Sequence, residues 1–430
     1  MTAQVGVMNR IAVSLAADSA VSLGRDAGKT YTSADKLFQL SNSAPVGIMV
    51  YGNADFLRLP WEVLVKEYRR RLEGQRFDTV QEYADDFFSF LRDSEDVLDD
   101  EGQQQQDLGL VYSLLVDVRE VLRERLDDEA EKCGGVTEED VTKAAGQVIR
   151  ERLERIKAHD RISTITNAEV GRIRKRFREP LKEPIKEVFG ELPLSPQSKK
   201  DLRSIAIEML TRTYFGPLQC GVVFAGFGER EFMPSLYSYA LEEMVCGHLR
   251  IAEPSEQKIT RRNGAAIIPF AQQEMVHSFL RGLDPSIQAH IRSSTAVAVS
   301  GLTSSITGTI EESVGDIPTE VTNAVHGELE GALRSLFERW DSTCATYWQP
   351  VVEIVSSLPK DELGSMAEAL VNLTKFRRRI TPERETVGGP IDVAIITKGD
   401  GFVWVRRKHY FRSELNPRIM AQYHKQQGEE

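Results

Sequence analysis

The chain has 430 residues, 41% of them hydrophobic and 28% charged, an ordinary composition for a globular protein with room for a large core. Its net charge of −11 provides no global attraction for nucleic acid. Cys133, Cys220, Cys246 and Cys344, and the histidines at 159, 248, 277, 290, 326, 409 and 424, fall into no C-x-x-C or H-E-x-x-H spacing, so a metal centre is not expected and the cysteines read as reduced thiols of a cytoplasmic protein.

The opening residues alternate, with Val5 and Val7 on one face, a turn at Asn9-Arg10, then Ile11, Val13 and Leu15; this predicts a β-hairpin rather than a signal peptide, since Arg10 and Asp18 interrupt the apolar run. Two short strands follow, Lys36 to Leu40 and Val46 to Tyr51, around a turn at Ser41 to Pro45. Apolar residues at helical spacing predict amphipathic helices from Phe56 to Leu72 and from about Thr79 to Leu91, both suited to packing on a sheet. From Asp93 to Tyr214 the character changes to acidic runs, the low-complexity Gln103 to Gln106 and a heptad-like stretch through Leu108, Val111, Leu115, Val118 and Leu122. This segment reads as helical, with helix starts at Thr137 and at Ser195-Pro196.

Strand character returns at Gly221 to Gly228, Pro234 to Leu241 and His248 to Ala252, then at Ile267-Ile268 before a helix from about Phe270 to Leu280. Ser293 to about Lys375 is helical or loop-like, and the uncharged stretch from Ser293 to Ile310 is too rich in Ser, Thr and Gly for a spanning helix. A final strand pair is expected at Ile391 to Thr397 and Phe402 to Val405, around the turn Lys398 to Gly401.

Asp18 follows Thr2 by sixteen residues within Ala16-Ala17-Asp18-Ser19; Lys36 opens a strand; and Tyr51-Gly52-Asn53-Ala54-Asp55 leads toward the first helix. In this order and spacing the chain resembles proteasome β subunits and their bacterial two-component relatives, within the N-terminal-nucleophile hydrolases. Gly221 to Phe227 and Gly388-Gly389 extend the resemblance, which covers roughly half the chain. It implies an α/β fold, a four-layer αββα sandwich of two antiparallel sheets carrying two helical insertions. On that pattern 1–93, 213–292 and 383–412 form the core, 94–212 and 293–382 the insertions, and 413–430 a polar tail. It also implies homo-oligomers, a peptide or protein substrate and no cofactor, and it leaves open an ATPase or regulatory partner; neither membrane nor nucleic acid is expected as a partner.

The chemistry supplies a reason for each matched residue. Once Met1 is removed, the free amine of Thr2 can act as base for its own hydroxyl. An ammonium at Lys36 lowers that amine's pKa by like-charge repulsion, and Asp18 holds Lys36 in place. Backbone N–H groups at Tyr51 and Gly52 are the expected oxyanion donors, with the Tyr51 side chain narrowing the adjacent specificity pocket. Ser19 is a candidate supporting hydroxyl. The family's serine-bearing Gly-Ser-Gly turn is replaced here by Ile268-Pro269-Phe270-Ala271-Gln272, and the Asp and Ser before its Gly-Gly by Glu383 to Val387; Gln272 and Glu385 are the candidate substitutes.

Two other readings compete. The basic runs Arg172 to Arg178, Arg377 to Arg379 and Arg406 to Lys408 suggest an anion- or nucleic-acid-binding module, although helical Arg runs are more often solvated or paired. The departures from the family pattern suggest an inactive scaffold that has kept the sheets and lost the site.

Overall fold

The structure, a computed structural model, describes residues 2–23, 29–94, 97, 100–133, 135–216, 218–315, 318–381, 387–409, 411–418 and 421. In chain order its elements are β1 (Ala3–Asn9), β2 (Ala12–Asp18), β3 (Val21–Leu23), β4 (Lys29–Tyr31), β5 (Leu37–Gln39), β6 (Val46–Gly52), β7 (Asp55–Phe56) and β8 (Leu59–Pro60), then helices α1 (Trp61–Leu72), α2 (Val80–Asp93), α3 (Asp100–Cys133), α4 (Glu138–Lys157), α5 (Asn167–Phe177), α6 (Lys182–Phe189) and α7 (Pro196–Thr211). They continue as β9 (Cys220–Gly226), β10 (Ser235–Val245), β11 (His248–Ile251), β12 (Ser255–Lys258), β13 (Ala265–Ala271), α8 (Glu274–Arg281), α9 (Pro285–Val314), α10 (Thr319–Val355), α11 (Lys360–Ile380), β14 (Ile391–Thr397) and β15 (Gly401–Arg406). The class is the expected mixed α/β one, built on antiparallel sheets. Among the described residues no helix is long and apolar enough to cross a membrane.

The chain divides into two compact units, each carrying one of the large sheets. The first comprises Met1–Leu37, Phe232–Pro234 and Lys258–Glu430, and its sheet has the order β13-β1-β2-β14-β15. The hairpin turn is set by Asn9, whose Oδ1 accepts from the backbone N–H groups of Ile11 (2.9 Å) and Ala12 (3.2 Å), the local side-chain turn for which Asn is suited. Its Nδ2 donates to the carbonyls of Val355 and Leu358 at 3.0 and 2.9 Å, which ties the turn to the end of α10. Both strands of the hairpin are buried along their whole length.

One face of this sheet packs against α11. Leu363, Ala367, Leu370 and Val371 recur at helical spacing and share a core with Ala3, Val5, Val7, Ala12, Ala16, Val393 and Ile395. Burying the larger of these side chains contributes about 1.5–3 kcal/mol each. Small residues at 3, 12 and 16 let the helix approach closely, and at Gly364 an added Cβ would stand 3.0 Å from the Ile395 side chain. Part of the segment expected as a second insertion therefore lies directly on the strands that carry the N-terminus.

The second unit, Phe38–Glu231 and Ser235–Gln257, holds the sheet β11-β10-β9-β6-β5, with β12 also paired to β10. Ile48, Val50, Val222 and Phe224 pack with Leu64, Val65 and Tyr68 of α1 and Tyr83, Phe87 and Phe88 of α2. Edge-on ring contacts such as Phe88–Tyr239 at 4.7 Å and Phe87–Phe224 at 5.5 Å add about 0.5–1.5 kcal/mol each beyond burial. Helices α3 to α7 build a further core from Val111, Leu115, Val118, Val148, Ile149, Ile205 and Leu210. The helix starts read from sequence at Thr137 and Ser195 are present: Thr137 and Asp140 form a reciprocal capping box, and Ser195 caps a helix with Pro196 in its first turn.

Two helix starts differ from the sequence reading. Asp55–Phe56 and Leu59–Pro60 form a small antiparallel ladder around Leu57 and Arg58, both at positive φ, so α1 begins at Trp61 rather than Phe56, after a proline suited to the entry of a helix but not its interior. Similarly, pairing of Ala265 to Ala271 with β1 outlasts the apolar pattern, and α8 begins at Glu274 rather than Phe270.

Candidate active site

Three elements of the first unit converge on Thr2. The antiparallel register of β1 and β2 sets Gln4 opposite Ala17, so Asp18, at the end of β2, lies beside the start of β1. The sixteen-residue interval thereby becomes proximity: the N–H of Ala3, the residue after Thr2, donates to Asp18 Oδ1 at 3.1 Å. On the other side of β1 the Gln272 N–H, just past the end of β13, donates to the Thr2 carbonyl at 3.2 Å. Lys36, immediately before β5, donates from Nζ to Asp18 Oδ1 at 2.6 Å and to Thr2 Oγ1 at 2.8 Å. Thr2, Asp18 and Lys36 are all buried; the three candidates thus form one connected group.

Asp18 is held from every side. Oδ1 takes the Ala3 N–H and Lys36, while Oδ2 takes the N–H groups of Ala20 at 3.1 Å and Gly388 at 3.0 Å. The loop supplying Gly388 is itself fixed by Ser19, whose backbone N–H donates to the Gly388 carbonyl (3.1 Å) and whose hydroxyl donates to the Pro390 carbonyl (2.7 Å). Ser19 therefore supports the loop beneath Asp18, and the bond found for its hydroxyl goes to that loop. Gly389 has φ +75°, and a Cβ there would lie 2.7 Å from the Thr32 carbonyl oxygen, so only glycine fits this conformation and this space.

Burial lowers the Lys36 pKa from its ordinary value; the charge and hydrogen bond of Asp18 oppose that shift, and the positive charge of Lys408 adds to it. Lys408 is a contributor that the sequence reading passed over as part of a basic run. Its Nζ pairs with Asp392 and, at 2.9 Å, with Asp35, the residue next to Lys36. Its backbone N–H also reaches Asp392 Oδ1 at 2.8 Å. No spacing in the sequence signals this pairing.

Tyr51 and Gly52 lie at the end of β6 in the second unit. Gly52 has φ +87°, and a Cβ there would meet the Gln219 carbonyl oxygen at 2.5 Å, which explains a glycine at the end of this strand. The Tyr51 ring lies over Gly221, where an added Cβ would come within 2.0 Å of it, and its hydroxyl bonds Ser238. The ring is thus engaged by its own sheet. Met1 and Glu385 lie outside the described residues.

Of the two candidate substitutes, Gln272 is at the site through its backbone, while its side-chain oxygen accepts from Arg378 Nε at 2.7 Å. Among the described residues, no group of three or more His, Cys, Asp and Glu side chains could hold a metal ion. What the group offers chemically is a threonine oxygen in hydrogen-bond contact with a desolvated, carboxylate-anchored amine.

No protein-family model and no curated protein matches the chain. Among solved structures it is similar to the Anbu (Gly-1) mutant from Hyphomicrobium sp. strain MC1, over 100% of this chain and 98% of that one, at 10% identity and a TM-score of 0.29. With a likeness of that degree, the site's geometry rests on the chain's own residues.

Proposed function

We propose that the chain is a proteasome-like threonine hydrolase that cleaves amide bonds, those of peptides foremost, through an acyl-enzyme on Thr2. The observation that carries this reading is the Lys36 amine, 2.8 Å from Thr2 Oγ1 and anchored 2.6 Å from Asp18. Removal of Met1 frees the Thr2 amine. Oγ1 then attacks the substrate carbonyl and passes its proton to that amine; the tetrahedral oxyanion that forms needs backbone N–H donors, a role this reading gives to Tyr51 and Gly52. Collapse expels the leaving amine, which takes the proton. Water activated by the same terminal amine then attacks the ester carbonyl, releasing the acid and restoring the Thr2 hydroxyl. Lys36 steadies Oγ1 and, when charged, keeps the terminal amine deprotonated by repulsion. Assembly of several copies around an enclosed site, a cytoplasmic setting and the first insertion, 94–212, belong to the same reading.

The competing anion-binding reading is weakened by the commitments of two basic runs: Arg377 pairs with Asp284 at 3.0 Å, Arg378 holds Gln272, Arg406 pairs with Glu368, and Lys408 with Asp35 and Asp392. A direct test compares the chain beginning at Thr2 with the same chain retaining Met1, on a fluorogenic peptide amide. Hydrolysis by the first and none by the second is expected; equal activity from both would exclude the terminal amine as base.

A further inference from the structure

We propose that Arg378 is a positioning residue for Thr2, acting through Gln272; the inference rests on Thr2 being the nucleophile. The connection has two links. Arg378 Nε donates to Gln272 Oε1 at 2.7 Å, and the Gln272 N–H donates to the Thr2 carbonyl at 3.2 Å. Gln272 is buried, and a guanidinium-to-amide bond in such surroundings is of the stronger, charge-assisted kind.

The backbone explains why such a hold is needed. The ladder between β13 and β1 ends at the pair Ala271–Ala3, and the chain leaves the strand with Ala271 at φ +61°. A left-handed conformation is unfavourable for a residue with a Cβ, and it persists where the surroundings over-determine it. Here the turn aims the next N–H at Thr2, while the side chain of that same residue is gripped by Arg378. Thr2 therefore sits at the end of a strained step whose far side is pinned by a helix.

That helix is α11, seated on the strands bearing Thr2 and Asp18 by Leu363, Ala367, Leu370 and Val371. One turn before Arg378, Lys375 donates from Nζ to the Gly389 carbonyl at 2.8 Å, in the loop whose Gly388 N–H binds Asp18. The last turns of α11 thus hold both sides of the site: Thr2 through Gln272, and Asp18 through the 388–389 loop.

The test is the rate at which a peptide β-lactone acylates Thr2, read by intact mass, in the wild-type chain, Arg378→Ala, Gln272→Ala, the double variant and Arg378→Lys. Small displacements of a reacting atom cost up to about a hundredfold; Arg378→Ala and Gln272→Ala are each expected to slow acylation about tenfold to a hundredfold. Because the two act in series, the double variant is expected to be no slower than the slower single variant. Arg378→Lys, which keeps one donor for the amide oxygen, should recover part of the rate. Acylation of Arg378→Ala at the wild-type rate, or effects that multiply in the double variant, would overturn the proposal. A wild-type chain that takes no label would overturn the functional reading, and this inference with it.

Discussion

Each unit of the chain buries an ion pair, and the two pairs serve different ends. In the second unit Arg250 pairs with Glu242, both side chains without solvent exposure. The guanidinium also donates to the carbonyls of Met209 (2.7 Å) and Tyr214 (2.8 Å) and lies over the Phe215 ring, while Glu242 Oε1 accepts from the Gly216 N–H at 2.9 Å. Those partners are backbone and ring atoms joining α7, the segment after it and the sheet. In the first unit Lys36 pairs with Asp18 at similar burial, but its Nζ also donates to the hydroxyl of Thr2. Burial lowers the pKa of both cations. A perturbed, desolvated cation is therefore not by itself a mark of chemistry; what separates the pairs is the atom that the next donor reaches.

The largest effect separating the two pairs should come from Lys36→Ala, expected to slow acylation of Thr2 by about 10²- to 10⁴-fold in a chain that still folds. Labelling kinetics alongside circular dichroism would check both halves, and an unchanged rate would make the first pair as structural as the second. Arg250→Met should do the reverse. It strands Glu242 without a cation and is expected to cost about 3–5 kcal/mol of stability in denaturant unfolding, with Glu242→Gln added to it recovering most of the loss.

A smaller contrast appears in the dependence on pH. Near Arg250, burial pushes the carboxyls of Asp107 and Glu243 up to about 7 each. Their folded-state values exceed their unfolded ones, so the folded state binds more protons, and stability is expected to fall as pH rises from about 4 through 7. Each group contributes at most about 1.4 kcal/mol per pH unit, and Asp107→Asn should remove its share of that slope. Lys36 works in the opposite sense. Its folded value is depressed, the unfolded state binds more protons between that value and 10.5, and stability contributed there rises with pH. The difference in unfolding stability between wild type and variant, measured across pH, is expected to fall with pH for Asp107→Asn and to rise with pH for Lys36→Met; differences of one sign would remove this distinction between the pairs.

Much of the fold was legible because it follows local pattern. The N-terminal hairpin, the Asn9 turn, the Thr137 and Ser195 caps and the final strand pair all appear as the sequence reads, although both hairpin strands are buried on both faces and Ile11 lies in the exposed turn. Thr2, Asp18 and Lys36 were legible through their order and spacing: the β1–β2 hairpin brings Asp18 beside the start of β1, and the position just before β5 brings Lys36 to both. What stayed hidden depends on remote partners. Arg378 meets Gln272 across 106 positions of sequence, and Lys408 reaches back to Asp35; a run of cations looks the same in sequence whether it faces solvent or clasps a site. The positive φ values at Leu57 and Arg58 were likewise invisible to a period count, so the first helix was read as starting too early.

The account depends most on Thr2 being the atom-bearing nucleophile, and a peptide β-lactone followed by intact mass and mapping of the modified peptide tests it most directly. One equivalent of label on the peptide beginning at Thr2, absent from Thr2→Ala, is the expected result. Label that persists in Thr2→Ala, or that maps to another residue, would contradict it.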